Sequence, residues 1–457
     1  MSLAQEIKHI VGHEGLLIDE QDKAYADSDM SANIERSMPY LVVLPNSVDQ
    51  LVSVARLLIA RRVPIVMRGA GTGKSGGAVA DSSSVIIDVT RLDRIIAIEP
   101  ENLLAIVEPG VILANLKNEV KRFGLFYPPD PASFAQCTIG GNVAENAAGP
   151  STIKYGSTRE YLLGGEAVIG TGELISFGKK CPKGVTGFDI AGLLCGSEGC
   201  LAVFTRLILR LLPAPKSVAL AMFFFGDERE GLDAVNALIA QGHLPRTLEY
   251  IDDVCLKALA KFYPGFCCPD AKAALIIECD SGLEGGAALE INSIESFLAR
   301  FNLMDKFLAT SDEDVAELWR MRSRMSESCT KYLGYKRSED IAVPLGKIGQ
   351  FFSSIKSFSK PPSLMCGAFG HAGDGNLHVQ IMFDHEKYMG EAEDLCEKVL
   401  KLTLSLQGTL AAEHGIGSTK REFLPLEQSI SLIELQKRIK HAFDPHGLLN
   451  PNKIFPS

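Results

Sequence analysis

Residues 68–77 read RGAGTGKSGG, and two phosphate motifs compete for them. Gly73, Lys74 and Ser75 match the end of a P-loop, while Gly71, Gly73 and Gly76 match the spacing G-x-G-x-x-G. Neither motif is completed. A P-loop requires glycine five residues before Gly73, where this chain has Arg68. Both motifs also require a helix immediately after the loop, because its N-terminal N–H groups and dipole hold the phosphates. The next patterned segment is instead VIIDV (85–89), whose β-branched content predicts a strand. Only GAVADSSS intervenes, too short and too rich in turn formers for a helix. The loop therefore joins strand PIVMR (64–68) to strand VIIDV. Its bare backbone either wraps a pyrophosphate as a nest of N–H groups, with Arg68 or Lys74 adding charge, or makes a tight glycine turn.

Working outward, residues 41–68 predict a β-α-β unit: strand LVVLP, a helix from Val48 with Ser47 and Gln50 as a capping box, then PIVMR. Strand LLAIVEPG and an amphipathic helix ended by Gly124 follow. The stretch from Tyr127 to Gly149 is dense in Pro, Gly, Ala and Asn, too irregular for one element and too apolar for a linker; such loops carry function. Short strands recur over 164–212, and Pro213 and Pro215 mark a boundary. Beyond it, strand VALAMFFFG, a helix over 228–241, strand LIIEC and a helix over 285–302 predict a second α+β domain running to about 440.

The chain has 457 residues, enough for two or three domains. With 46% hydrophobic and 22% charged residues it reads as soluble and globular. A net charge of −10 without a basic run argues against nucleic acid as a partner. Neither a signal peptide nor a transmembrane segment is expected. Eleven scattered cysteines without C-x-x-C spacing fit a reducing, cytoplasmic compartment and give no iron–sulfur ligand set. The adjacent Cys267 and Cys268 read as buried thiols.

The second half carries the candidate chemistry. In FGHAGDGNLHV (369–379), Asp374-Gly375 predicts a two-residue hairpin turn, which would pair His371 directly with His378, Cβ atoms roughly 5 Å apart. Two imidazoles at that spacing can share a divalent cation, or they can be polar residues on a solvated hairpin face. In LAAEHGIGSTKREFL (410–424), Glu413 and His414 are expected at a strand end. Glu413 could complete a His₂–carboxylate site and leave His414 as a base, or the pair could cap the following helix. LWRMRSRM (318–325) supplies three arginines, a basic helix face or a fixed guanidinium for a small carboxylate.

RGAGTGKSGG, PPDPAS, TIGGNVAENAAGP, KYGSTREYLLG, GSEG, FGHAGDGNLHV, AAEHGIGSTKREFL and NPNKIF occur in one order. That order resembles the FAD-binding oxidase/transferase type 4 family of the vanillyl-alcohol oxidase superfamily, over about residues 25–457. Its members include the glycolate oxidase flavin subunit, D-lactate dehydrogenase and D-2-hydroxyglutarate dehydrogenase. The resemblance implies an α+β fold: an N-terminal segment (1–38), a two-part PCMH-type FAD-binding domain (39–215), an α+β substrate or cap domain (216–440), and a C-terminal segment (441–457) returning to the flavin domain. It implies non-covalent FAD, since residues 68–77 contain no histidine. The implied flavin contacts are Arg68, Gly69, Gly71, Thr72, Gly73, Ser75, Gly76 and Gly77, then Pro131, Ser133, Thr138, Gly140, Gly141, Asn142, Ala147 and Ala148. Gly196, Glu198, Gly199 and Asn450 complete them. His371, His378 and Glu413 fall on the family's metal ligands, for zinc or manganese. His414 falls on its catalytic histidine, Arg322 on its carboxylate-binding arginine and Asn376 on a substrate-side polar position.

The expected reaction is oxidation of a small D-2-hydroxy acid, glycolate or D-lactate, to the 2-oxo acid. Reoxidation would run through an iron–sulfur or other electron-transfer subunit, or a quinone, with peripheral membrane attachment through such a partner. The pattern departs in three places. Ser338 stands six residues before Pro344, where hydroxyglutarate dehydrogenases carry lysine, and Lys336 is out of register. Cys200 replaces the Thr after GSEG, and Ala202 replaces a later Gly. D-2-hydroxyglutarate oxidation, a non-redox transferase making an alkyl-glycerone phosphate, and a non-catalytic flavin scaffold subunit stand as the rival readings.

Overall fold

The computed structural model describes residues 1–31, 34–266, 268–360 and 362–456. They form two compact units: residues 1–148, 156–214 and 414–457 make the first, and residues 149–155 and 215–413 the second. This differs from the sequence expectation at two places. The second unit stops at Glu413 rather than near 440, and the N-terminal 38 residues belong to the first unit.

The first unit has a four-stranded sheet, in order Leu16–Leu17, Leu41–Val43, Val85–Asp88 and Ile65–Arg68, and a five-stranded antiparallel sheet. The β-α-β reading holds: Leu41–Val43 and Ile65–Arg68 flank the helix Val48–Ala60, and both pair in parallel with Val85–Asp88, which lies between them in the sheet. The helix Val48–Ala60 starts at Ser47, whose hydroxyl accepts from the Gln50 N–H. Gln50 reaches back to the Asn46 N–H, one residue outside the expected capping box. The irregular stretch after Tyr127 contains one helix the sequence pattern hid, Ile139–Glu145, capped by Thr138. Strand Ile95–Glu99 was also not expected.

The chain end returns as an added edge of the parallel sheet. Ile65 N–H donates to Leu448 O at 2.7 Å and Asn450 N–H to Ile65 O at 2.7 Å. Lys440 Nζ ties the preceding helix to Cys200 O and Leu449 O, each at 2.6 Å.

The second unit is built on a seven-stranded antiparallel sheet. Its order is Leu303–Leu308, Ser217–Phe225, Ala273–Ser281, Thr247–Asp252, Leu364–His371, Asn376–Phe383 and Tyr335–Ala342. One face packs Leu220, Met222, Ile251, Phe369 and Met382 against Leu318, Met321, Met325 and Cys329 from two helices. Segment 149–155 is held to this unit by Asp280, which accepts from Tyr155 Oη at 2.6 Å and pairs with Lys154. Of the two cysteines expected to be buried, Cys268 is half-buried and Cys267 lies outside the described residues. The described cysteines are all free thiols.

Gly417 shows how tightly the returning chain meets the glycine loop. Its φ is +51°, and a Cβ there would overlap the carbonyl oxygen of Ser75. Left-handed backbone costs an L-residue about 1–2 kcal/mol before any clash. Gly417→Ala is therefore expected to lower the unfolding free energy by at least about 2 kcal/mol and to loosen the loop. Chemical denaturation checks this; an unchanged midpoint would show that the two segments can separate freely.

Candidate active site

Cross-strand register draws the site of the second unit. Asp340 pairs with His378, His378 with Phe369, and Phe369 with Ile251, one row across four strands. The neighbouring row runs Ala342, Asn376, His371, and continuing the register brings Glu249 opposite His371. Residues two apart on a strand share a face, so both rows lie on the side covered by the helix carrying Arg322.

The expected hairpin turn is corrected here. His371 pairs with Asn376, not His378, and residues 372–375 form a four-residue loop in which the Asp374 and Gly375 N–H groups both donate to His371 O at 3.1 Å. The offset is two residues, which preserves the face, so the imidazoles still meet diagonally with ring centroids 5.3 Å apart. The expected strand end at Glu413–His414 is corrected too: after a single bridge at Thr409 the chain is irregular through Gly417.

His371 Nε2 lies 3.9 Å from Glu413 Oε2, and His378 Nε2 lies 3.8 Å from Glu413 Oε1. Ligand atoms bound at about 2.0–2.2 Å to one cation sit roughly 3–4 Å apart. Each imidazole is therefore spaced to share a small divalent cation with Glu413, through a different carboxylate oxygen. The opposite ring nitrogens face carboxylates: His371 Nδ1 meets Glu249, and His378 Nδ1 lies 3.4 Å from Asp340 Oδ1. Burial pushes the His371 imidazolium down, but Glu249 outweighs it and the pKa rises to about 9. Burial holds His378 below its ordinary value against the pull of Asp340. Glu249 is fully buried, which opposes ionisation, yet Arg322 and then His371 hold it down at about 2.

Arg322 donates from Nε to Glu249 Oε2 at 2.5 Å, with its guanidinium 4.8 Å over the Phe369 ring. Its Nη2 also faces Glu249 Oε2. Asn376 is committed inward, donating to Asp340 Oδ1 at 2.7 Å and Ile341 O at 3.0 Å. Lys336 donates to Ser326 O at 2.9 Å. His414, half-buried, is the first residue of the chain's return to the first unit.

In the first unit the remaining candidate residues converge from distant segments. A Cβ on Gly69 would overlap Thr138 Oγ1, and Asn450 Nδ2 donates to Gly77 O at 3.1 Å and Glu198 O at 2.6 Å. Arg68 is buried, and its guanidinium donates to Ser28 O and Tyr25 O, so it braces the loop from behind. Gly71, Gly76, Gly196 and Gly199 take positive φ. Pro131 and Ser133 shape the turn before Thr138, through Phe134 N–H to Pro131 O and Cys137 N–H to Ser133 O. Ala147 O is taken by Thr158. Glu198 turns its carboxylate to the Ile416 and Gly417 N–H groups, at 2.9 and 2.7 Å.

Ser75 Oγ, Asn142 Nδ2, Ser418 Oγ and Asn450 Oδ1 are buried with no hydrogen-bond partner among the described residues. Polar atoms buried without partners cost about 1–3 kcal/mol each. These four line the glycine loop, the stretch after Thr138 and the returning chain, and they fit a polar ligand such as a dinucleotide.

Sequence reading missed Glu249, Asp340 and Glu145. The signal available was an acid inside the apolar strand patterns TLEYID (247–252) and SEDIAV (338–343), where a buried charge demands a partner.

This is the fold of PCMH-type flavoproteins. The chain superposes on p-cresol methylhydroxylase with a TM-score of 0.81 at 15% identity, covering 99% of this chain and 96% of that one. For an alkyldihydroxyacetonephosphate synthase the TM-score is 0.79 at 18% identity, over 99% of this chain and 84% of the other. Residues 39–178 match the FAD binding domain, and residues 214–454 match the C-terminal domain of FAD linked oxidases. The glycolate oxidase subunit GlcD of Escherichia coli (strain K12) is 34% identical over 98% of this chain and 90% of its own. The D-2-hydroxyglutarate dehydrogenase of Stutzerimonas stutzeri (strain A1501) is 30% identical over 99% of both. The chain belongs to the FAD-linked oxidase family and is an FAD-dependent oxidoreductase.

One feature of the cradle is testable by pH. A Cβ on Gly415 would lie 2.6 Å from Glu145 Oε2 and 3.0 Å from Glu198 Oε1, so the two carboxyls share one buried space. Burial, then Glu198 and Asp29, pushes Glu145 well above the usual carboxyl range. Burial also raises Glu198, against the pull of two backbone N–H groups. A carboxyl whose folded pKa exceeds its unfolded value, about 4.3, binds its proton more tightly in the fold. Its stabilisation is complete below that value and is lost as pH rises toward the folded pKa. Glu145→Gln should therefore melt above the parent at pH 8, with the difference shrinking toward pH 4.5. A gap that widens on acidification would reverse the assignment.

Proposed function

We propose that the protein oxidises a small D-2-hydroxy acid, glycolate or D-lactate foremost, to the corresponding 2-oxo acid. The observation carrying this reading is the convergence of the two Nε2 atoms on Glu413, 3.8 and 3.9 Å away, in an FAD-linked oxidase. Relatives named glycolate oxidase subunit and D-lactate dehydrogenase support the substrate class.

When bound, FAD supplies the acceptor for the α-hydrogen with its electron pair, and a divalent cation on His371, His378 and Glu413 supplies Lewis acidity toward the hydroxyl. His414 takes the hydroxyl proton, breaking the O–H bond as its own N–H forms. Arg322, braced by Glu249 and Phe369, offers its guanidinium to the substrate carboxylate. Ser338, together with the commitment of Lys336 to Ser326, supports a monocarboxylate over D-2-hydroxyglutarate, whose second carboxylate would need its own cation.

FAD is held without a covalent bond in this reading, and zinc and manganese both suit the donor set. Among the described residues no helix is long and apolar enough to cross a membrane. The subunit designation of the glycolate oxidase relatives supports reoxidation through a partner chain, at the membrane or in the cytoplasm.

Anaerobic mixing with glycolate, D-lactate, L-lactate and D-2-hydroxyglutarate should bleach the flavin with one of the first two. Bleaching by none of them would leave the transferase or scaffold reading instead. The division of labour within Glu413-His414 is read separately. Glu413→Gln should lose the metal, as a neutral amide replaces a carboxylate ligand. His414→Asn should keep metal and FAD but reduce the flavin about 10²–10⁴-fold more slowly. Elemental analysis with stopped-flow reduction checks both; the opposite pattern would exchange the two roles.

A further inference from the structure

We infer that Asp340 is the positioning residue of the cation site: a single carboxylate that aims the His378 ring and fixes the backbone carrying Glu413. This deepens the metal reading proposed above and rests on it.

Asp340 is buried at the end of the row that contains His378, on the edge strand of the sheet. Its Oδ1 faces His378 Nδ1 at 3.4 Å and accepts from Asn376 Nδ2 at 2.7 Å. Its Oδ2 accepts from the N–H groups of Ala412 and Glu413, at 3.2 and 2.9 Å. An ionised carboxylate offers about four lone-pair directions. Three hydrogen bonds and the facing His378 Nδ1 account for them.

Two consequences follow from that occupancy. With Nδ1 directed at Asp340, the lone pair of a neutral His378 is on Nε2, the atom that faces Glu413. The ring is thus held in the tautomer and orientation a cation needs before any cation arrives. The same carboxylate pins two successive N–H groups of an irregular segment that no sheet or helix holds. Glu413 then extends from an anchored backbone. Asp340 accordingly couples two ligands that are 35 residues apart in sequence, as 413 − 378 gives.

An acid this near could itself ligate. Donor atoms of Asp340, His378 and Glu413 all lie within 4.8 Å of one another. The filled lone pairs favour orientation over ligation, and Glu249 offers an internal comparison. It faces Nδ1 of His371 in the same manner, but its second oxygen is spent on Arg322, and among the described residues no backbone N–H donates to it. Loss of Asp340 should therefore disturb two ligands where loss of Glu249 disturbs one.

The test begins with the wild-type flavoprotein, its metal removed and replaced by Co²⁺. Failure of the wild type to bind any divalent ion would sink the metal reading itself, independently of Asp340. Given binding, Asp340→Asn should weaken Co²⁺ affinity about 10–100-fold in competition with a chromophoric chelator, while FAD content stays at one per chain. At saturating Co²⁺ the visible ligand-field spectrum should match the wild type, because the ligand atoms are unchanged. Unchanged affinity would overturn the proposal, and so would a saturated spectrum reporting a lost ligand, which would make Asp340 a ligand. A second measurement needs no variant. In the ¹⁵N-histidine-labelled, metal-free wild type at alkaline pH, His378 should carry its proton on Nδ1. A proton on Nε2 would refute the orienting role even if the variant fails to fold.

Discussion

The register between strands Leu364–His371 and Asn376–Phe383 is the constraint on which the second unit depends. It brings Asn376 opposite His371 and Phe369 opposite His378, and the outer strands then supply Asp340 and Glu249 at the same two levels. A slip of one residue would send the imidazole of the shifted strand to the other face, away from the carboxylate that faces it. Such a slip is resisted from both sides. Gly370 has φ +158° and a Cβ there would lie 3.0 Å from Leu377 Cα, so the strands approach more closely than side chains would allow. Beyond the pair, the apolar row Ile251–Phe369 is locked under Met321 and Met325. The polar site is therefore an extension of core packing, set by the same alternation that buries Met382 and Leu220.

That dependence explains which parts were legible in the sequence. Strand and helix order, the two strands flanking RGAGTGKSGG and the meeting of His371 with His378 follow from local patterns, because periodicity and turn residues act over short spans. The hairpin was displaced by two residues because Asp374-Gly375 satisfies a two-residue turn locally. In the fold the Asp374 and Gly375 N–H groups are both spent on His371 O, and the reversal takes four residues. Face survives an even displacement, which is why the histidine pair was found by a turn that does not exist. Asp340 and Glu249 went unread because their partners are 38 and 122 residues away, beyond any pattern a window can hold.

The division of the chain at Glu413–His414 has a similar physical origin. Glu413 N–H belongs to Asp340 in the second unit, while Ile416 and Gly417 N–H belong to Glu198 in the first. Two carboxylates, each from a different unit, thus claim N–H groups three residues apart. An irregular segment lacks the repeating hydrogen bonds of helix or sheet, so each of its buried N–H groups must find an external acceptor. Sequence composition from 410 to 424 offers glycines and small polar residues that permit this path but name no acceptor, so the crossover was expected at 440.

The first unit answers the same requirement with a surplus. Glu145 and Glu198 crowd one space, and Ser75, Asn142, Ser418 and Asn450 each keep a buried polar atom that no described residue pairs. Folding by itself gains nothing from these atoms; they weaken the unit until a polar ligand meets them. Ligand affinity and stability are then the same quantity viewed from two sides, since a dinucleotide binding only the folded form stabilises it by RT ln(1 + [L]/Kd). Because Ser418 and Asn450 arrive only with the C-terminal return, the cradle is complete only after the chain has finished the second unit and come back.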